Sequence, residues 1–385
     1  MTPRELVEVL RKHERFVRGQ MGGQRADLRG ADLSGLRLRG VTLRDGSLAG
    51  TDFRKADVSE ADMSSADLYG ANFERATATQ TNFERADLRA ASFRGTVLTN
   101  ARLAGADLRA GALIGSIGKP KAADLSETNL DGSDLSEAKA TGGNLRNASL
   151  KEANLQRASM VKVDLRGANL SGADLTGATL TGADLAGANM SGANVMHAKL
   201  NGARLTGTLM TGVDLSGADL RDATISRGVL NLSEELQVML SAHVLWSETG
   251  GSEGARAVLD GRDLSGLDLS HVFLSGASLR GCNFANATLV GAEFVLADLQ
   301  EANLSRADLR RADLSGASFL KADLRHAKLA NALLKPVELR GSHGEVKGRA
   351  IRTSLRGALT DDIDLTHVDL TEVQVDEAAP ATSDA

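Results

Sequence analysis

A large apolar residue returns at every fifth position from Leu28 onward, and Ala nearly always stands two places before it. The stretch Ala26-Asp27-Leu28-Arg29-Gly30-Ala31-Asp32-Leu33-Ser34-Gly35 displays the unit, A-(D/N)-L-x-x. A period of five fits neither an α-helix nor a flat strand, whose side chains repeat at 3.6 and 2.0 residues. In extended backbone alternate side chains share a face, so the Ala and the Leu of one unit point inward together. The other three positions point outward, which requires a corner in each unit. Each unit is therefore one short side plus a bend, and several sides must close a coil around an apolar shaft.

The phase of five is easily followed. Centres run from Leu28 to Leu113, with Ala78 the only small one, and break at Ile114–Lys121. They resume at Leu125, twelve residues after Leu113, and continue to Leu230 with Ala140 as the weak centre. A non-repeating segment, 231–258, follows; Leu259 then opens a third run that ends at Leu339. After a loop at 340–353 come degenerate centres at Leu365, Leu370 and Val375. Phe53, Phe73 and Phe93 are centres twenty apart, as are Met190 and Met210. That is the spacing of like residues stacked one coil above the next when four units make a coil.

Such a tandem resembles the pentapeptide-repeat family over most of the chain. The resemblance implies an all-β solenoid, a right-handed quadrilateral β-helix of four pentapeptides per coil. Because each coil contacts only its neighbours, stability has to come from a long stack, and the stack leaves an edge at each end that needs covering.

Two covers are written in the sequence. Thr2-Pro3-Arg4-Glu5 is a capping box with Pro at the first helical position. It predicts an amphipathic helix with Leu6, Val9, Leu10, His13 and Phe16/Val17 on one face. Ser233 is an N-cap for a second helix whose apolar stripe is Leu236, Met239, Leu240, His243 and Leu245/Trp246. Leu6 matches Leu236, Leu10 matches Leu240, His13 matches His243 and Phe16 matches Trp246. Both segments pass through Gly to an Arg-Ala pair, Arg25-Ala26 or Arg256-Ala257, with one extra residue in the second linker as the expected offset. The chain thus reads as a duplicated module, a capping α-helix followed by a repeat array. Its expected divisions are 1–24 cap and linker, 25–231 first array with a register loop at 114–122, 232–256 second cap and linker, 257–340 second array, 341–376 loop and degenerate repeats, and 377–385 a disordered acidic tail.

Charge narrows the function little. From Asp361 to the C terminus there are eight acids and no Lys or Arg, so the net charge of −5 becomes +3 once those eight are set aside. A near-neutral body argues against direct nucleic-acid binding. One cysteine, Cys282, excludes an internal disulfide framework. No apolar h-region follows Met1 and no run approaches 18 apolar residues, so a cytoplasmic location without a membrane span is expected.

No catalytic constellation, cofactor motif or metal-binding cluster emerges. His197, His271, His326 and His367 fall at the second position after a centre, scattered over outward faces. Cys282 takes a slot normally held by Ala and is expected in the core. Asp and Asn interchange before the centres (Asp27, Asp32, Asn72, Asn129), which points to hydrogen bonding at the bend. His13 and His243, beside Phe16 and Trp246, are expected to pack the caps. A basic strip at Arg54, Arg75 and Arg94, with Arg89 and Arg109 on the adjacent face, is one candidate surface for an acidic protein partner. The loop Lys119-Pro120-Lys121 is another, since protruding loops frequently carry recognition. The expected function is a non-enzymatic scaffold or protein–protein interaction rod, with a homo-oligomer left open. The family resemblance implies an alternative: some members resemble a DNA duplex in size and charge and modulate type II topoisomerases such as gyrase.

Overall fold

The computed structural model describes residues 1–111, 120–225, 232–339 and 350–376. They form two compact units, Met1–Thr224 and Ile225–Ala385.

Within each unit the backbone pairs with itself at one interval. Parallel bridges join Asp27 to Ser47, Asp32 to Asp52, Arg37 to Asp57 and Thr42 to Asp62, each pair twenty residues apart, and the series continues along the array. Two bonds recur at each bridge: the Leu28 N–H donates to the Ser47 carbonyl at 2.8 Å, and the Ser47 N–H returns to the Ala26 carbonyl at 2.9 Å. Four pentapeptides therefore make each coil, as the Phe and Met spacing implied. Corners follow from backbone conformation. The second residue after nearly every centre adopts positive φ, for example Gly30 at 64° and Lys55 at 57°. Glycine is free to do so, whereas Lys55, Arg75 and Leu296 accept strain that neighbouring coils hold in place.

Inward positions fill a dry shaft. Ala26, Leu28, Leu33, Ala61, Met63, Ala66 and Leu68 are all buried. Phe53 and Phe73 stack with centroids 4.7 Å apart and 7° between planes, and Phe73 and Phe93 do so at 4.8 Å and 1°. Phe83, two units on and so on the opposite side of the shaft, meets Phe73 edge-on at 5.5 Å. Where Thr replaces Ala, its hydroxyl stays buried by donating to a carbonyl one coil back: Thr51 to Leu28 at 2.8 Å, Thr81 to Val58 at 2.8 Å. Cys282 does the same toward the Leu259 carbonyl at 2.9 Å, and burial pushes its thiol pKa up to about 11. It is a buried core residue, as its slot suggested.

Both interruptions begin one unit earlier than the phase of five indicates. The ladder runs to Asp107, then pairs Asp107 with Lys139, and Ala123 bonds back to Leu108 in the place a unit centred on Leu113 would have used. The ladder interval thus widens from twenty to thirty-two residues, and an antiparallel bridge joins Gly111 to Lys121. Likewise Ser318 pairs with Ser354, and an antiparallel Val337–Ile351 bridge closes the second excursion. Leu339 is therefore no centre and stands 41% exposed, while Leu355 is buried in the array. Leu339 keeps the phase by spacing alone. Leu230 and the segments 112–119 and 377–385 lie outside the described residues, so the loop's tip, Lys119 included, and the acidic tail do too.

Two α-helices stand at the expected places, α1 (Pro3–Val17) and α2 (Glu234–Glu248). Thr2 accepts the Glu5 N–H at 3.3 Å while Glu5 accepts the Thr2 N–H at 2.7 Å, completing the capping box. Ser233 accepts from Leu236. The alignment of the two segments needs a second offset. Both N-caps and both C-caps are separated by 231 residues, yet His13 and His243 by 230. Helix α2 thus starts one residue nearer its histidine and absorbs the extra residue in its last turn. Its buried set also differs from the expected stripe, with Gln237, Ser241 and Val244 joining Leu240 and His243.

Candidate functional site

Each cap is tied to its first coil by the same set of contacts. His13 Nδ1 accepts the Ala26 N–H at 2.9 Å, and His243 Nδ1 accepts the Ala257 N–H at 3.1 Å. The linker amides of Gln24 and Ala255 donate to the helix carbonyls of Lys12 and Ala242, at 3.1 and 3.0 Å. Arg25 and Arg256 each donate through Nε to a carbonyl twenty residues on, those of Asp45 and Gly276. Glycine is required where the linker turns onto the helix. A Cβ on Gly23 would lie 2.4 Å from the Phe16 nitrogen, and one on Gly254 would lie 2.1 Å from the Ala242 carbonyl oxygen.

The ring chemistry follows from the bond. An imidazole nitrogen that accepts carries no proton, so both rings are neutral with hydrogen on Nε2. Both Nε2 atoms are buried without a well-formed hydrogen bond. Burial accordingly lowers both pKa values. For His13 the Arg44 carbonyl and Asp45 draw it partly back. For His243 burial dominates over the Ser275 carbonyl and takes the pKa to about 4. Phe16 stacks on His13 at 5.8 Å and Trp246 on His243 at 5.5 Å, and Phe273 adds a tilted contact to His243 at 5.8 Å. Neither histidine reaches solvent, so these rings hold the caps and cannot meet a substrate.

Outside the caps, charge is arranged in self-neutralising pairs. The Asp before a centre accepts the N–H of the residue after it, as Asp32 does from Ser34 at 3.0 Å, and Asn72 does the same from Glu74 at 3.0 Å. Where that following residue is Arg, its guanidinium also grips the carboxylate. Arg54 holds Asp52, Arg89 holds Asp87 and Arg109 holds Asp107, with Nη2–Oδ2 distances of 2.6, 2.6 and 2.7 Å. The Arg54 hydrogen bonds keep Asp52 below the usual carboxylate range. At Asp107, burial works upward but the Arg109 bonds prevail. Arg94 pairs with Glu127 at 2.9 Å, thirty-three residues away across the widened interval. Of the basic strip, Arg75 alone has no ion-pair partner among the described residues. The strip is built from neighbours in space, but most of its positive charge is already spent within it. Pro120 and Lys121 are exposed at the base of the first loop. Asp-x-Arg spacing was visible in the sequence and could have revealed the pairing, because residues two apart share a face. Among the described residues no group of three or more His, Cys, Asp or Glu is placed to hold a metal ion, and no helix is long and apolar enough to cross a membrane.

The family model for pentapeptide repeats matches in eight copies, at residues 24–45, 47–85, 79–117, 121–157, 158–195, 188–227, 263–300 and 292–331. The chain belongs to the pentapeptide-repeat family. No curated protein matches this pentapeptide-repeat protein. Among solved structures, it is similar to HetL, a pentapeptide-repeat protein involved in heterocyst differentiation regulation in the cyanobacterium Nostoc sp. strain PCC 7120. That match has 19% identity over 92% of this chain and 93% of the other, with a TM-score of 0.21. It is similar to QnrB1, a plasmid-mediated fluoroquinolone resistance protein, at 22% identity over 53% and 99%, with a TM-score of 0.36. A pentapeptide-repeat protein of the Arabidopsis thaliana thylakoid lumen matches at 32% identity over 31% and 70%, with a TM-score of 0.21. Superpositions this loose support no comparison of sites.

Proposed function

We propose that this pentapeptide-repeat protein is a non-enzymatic, cytoplasmic scaffold whose flat outward faces engage protein partners. The observation that carries the reading is the disposition of its polar groups. Buried histidines, cysteine and threonines serve the shaft and caps, while outward Asp and Arg pair with one another, as Arg54 does with Asp52. What is left to a partner is shape and the pattern of exposed side chains, the resources of a binding surface. Two modules, each a capping helix followed by a right-handed quadrilateral β-helix, would each present such faces, with divisions near residues 24, 231, 256 and 340. A duplex mimic would need rows of uncompensated carboxylates, and the bidentate Asp–Arg pairs work against that alternative.

The test uses the intact chain beside a variant carrying Arg54→Glu, Arg75→Glu and Arg94→Glu and others reversed on each remaining face. The scaffold reading expects defined partners that one face variant loses while circular dichroism is unchanged. A specific effect of the protein on gyrase supercoiling, abolished by neutralising outward Asp residues, would replace it with the mimic reading.

A further inference from the structure

Among the described residues, the last coil of the second unit is open. The Leu355 N–H still donates to the Gln374 carbonyl at 2.8 Å, closing the coil. The amides of Thr360, Leu365 and Leu370 occupy the same position on the other three sides, and among the described residues they have no acceptor. Inward residues here, Ile363, Leu365, Val368 and Val373, are only partly buried, and Leu370 and Val375 are 37% and 56% exposed. Residues 350–376 carry six acids and two arginines. An apolar end with an unpaired edge and an acidic rim is a surface that recruits another chain.

The start of the first unit has complementary properties. Helix α1 covers the shaft but leaves a cleft of about 400 Å³ between itself and the first coil, lined by Met1, Val7, Leu36, Arg37 and Val41 among others. Val7 is 64% and Leu36 39% exposed. Residues 1–45 carry ten Lys and Arg against six Asp and Glu, and Arg37 forms no ion pair among the described residues. Two acidic ends brought tail to tail would repel at neutral pH, whereas the acidic end meets a basic, apolar one head to tail.

We propose that the open acidic coil end formed by residues 355–376 docks on the basic, cleft-bearing N-terminal end of a second copy of this chain, giving a heterologous head-to-tail contact. Such a contact leaves a free head and a free tail on each pair, so copies add with concentration until the rotation between them closes a ring. This goes beyond the scaffold reading, which holds equally for a monomer.

Two variants of the full chain test it. Arg4→Ala/Arg37→Ala neutralises only the head; Asp361→Asn/Asp362→Asn neutralises only the tail. Sedimentation velocity from about 1 to 100 µM should show concentration-dependent growth for the natural chain, weaker in about 500 mM salt than in about 50 mM. Each variant alone should lose roughly tenfold or more in association. An equimolar mixture should recover a complex that stops at one copy of each, because one intact head and one intact tail remain. A natural chain that stays monomeric at low salt overturns the proposal. So does a head variant that dimerises undiminished, which would indicate tail-to-tail pairing, and so does a mixture that recovers nothing while both variants keep the native circular dichroism spectrum.

Discussion

The Ala257 amide donates to His243 Nδ1 over 3.1 Å, and this bond commits a fully buried ring to its neutral form. The pairing of Ala26 with His13 repeats it at 2.9 Å in the first unit.

A pH dependence follows. His243 titrates near 4 when folded against an ordinary 6.5. Above about pH 6.5 both the folded and unfolded chains hold the ring neutral, and its contribution does not change with pH. Between 6.5 and 4 the unfolded chain takes up a proton that the folded one refuses, so stability falls as pH falls, by on the order of 3 kcal/mol in all. Urea midpoints of the natural chain at pH 7.5, 5.5 and 4.5 should decline across this window. A His243→Asn variant, less stable at pH 7.5, should show a flatter profile.

The phenylalanine stack should behave as shaft and not as ornament. Phe73 lies between Phe53 and Phe93 and meets Phe83 edge-on. Phe73→Ala should cost about 3–5 kcal/mol. Phe73→Leu, which installs the usual centre, should cost less than about 2 kcal/mol. Thermal unfolding of the two variants checks the order.

Glycines of similar φ should tolerate alanine very differently. Gly261 sits at 69° with open space where a Cβ would go, so Gly261→Ala should cost only about 1–2 kcal/mol of left-handed strain. Gly254 sits at 72° with its would-be Cβ 2.1 Å from the Ala242 carbonyl oxygen. Gly254→Ala should dislodge α2, seen as a large rise in amide exchange of α2 and of residues 257–274.

On the outward faces the backbone bond should outweigh the ion pair. Asp52 accepts both the Arg54 amide and its guanidinium, at 2.9 Å and 2.6 Å. Asp52→Asn keeps the first and should stay within about 0.5 kcal/mol of the natural chain, as exposed pairs contribute little. Asp52→Ala loses both and should cost about 1 kcal/mol. Chemical denaturation of the two variants separates the contributions.

Much of this architecture was legible because the repeat specifies burial residue by residue. The inward Ala and Leu, the stacking interval and both helix starts followed from side-chain alternation and capping chemistry. The excursions were misplaced because Leu113 and Leu339 preserve the phase of five, and only backbone pairing shows Ala123 and Thr353 taking over the ladder. The second offset between α1 and α2 escaped notice because the hydrophobic matches align at one spacing and the caps at another. For the surface, the repeat phase set the arginines on outward positions but could not assign their partners. Arg94 reaches Glu127 across the widened interval, a distance no local pattern encodes.

Everything rests on residues twenty apart lying side by side in adjacent coils. Oxidative cross-linking measures that directly, using Thr79→Cys with Thr99→Cys against Thr79→Cys with Glu84→Cys; the native Cys282 is buried and does not compete. The first pair, outward on one side and one coil apart, should form a disulfide within the geometric limits of such bonds and raise thermal stability. The second, a corner apart, should stay reduced. Cross-linking of the second pair in preference to the first would contradict the coil.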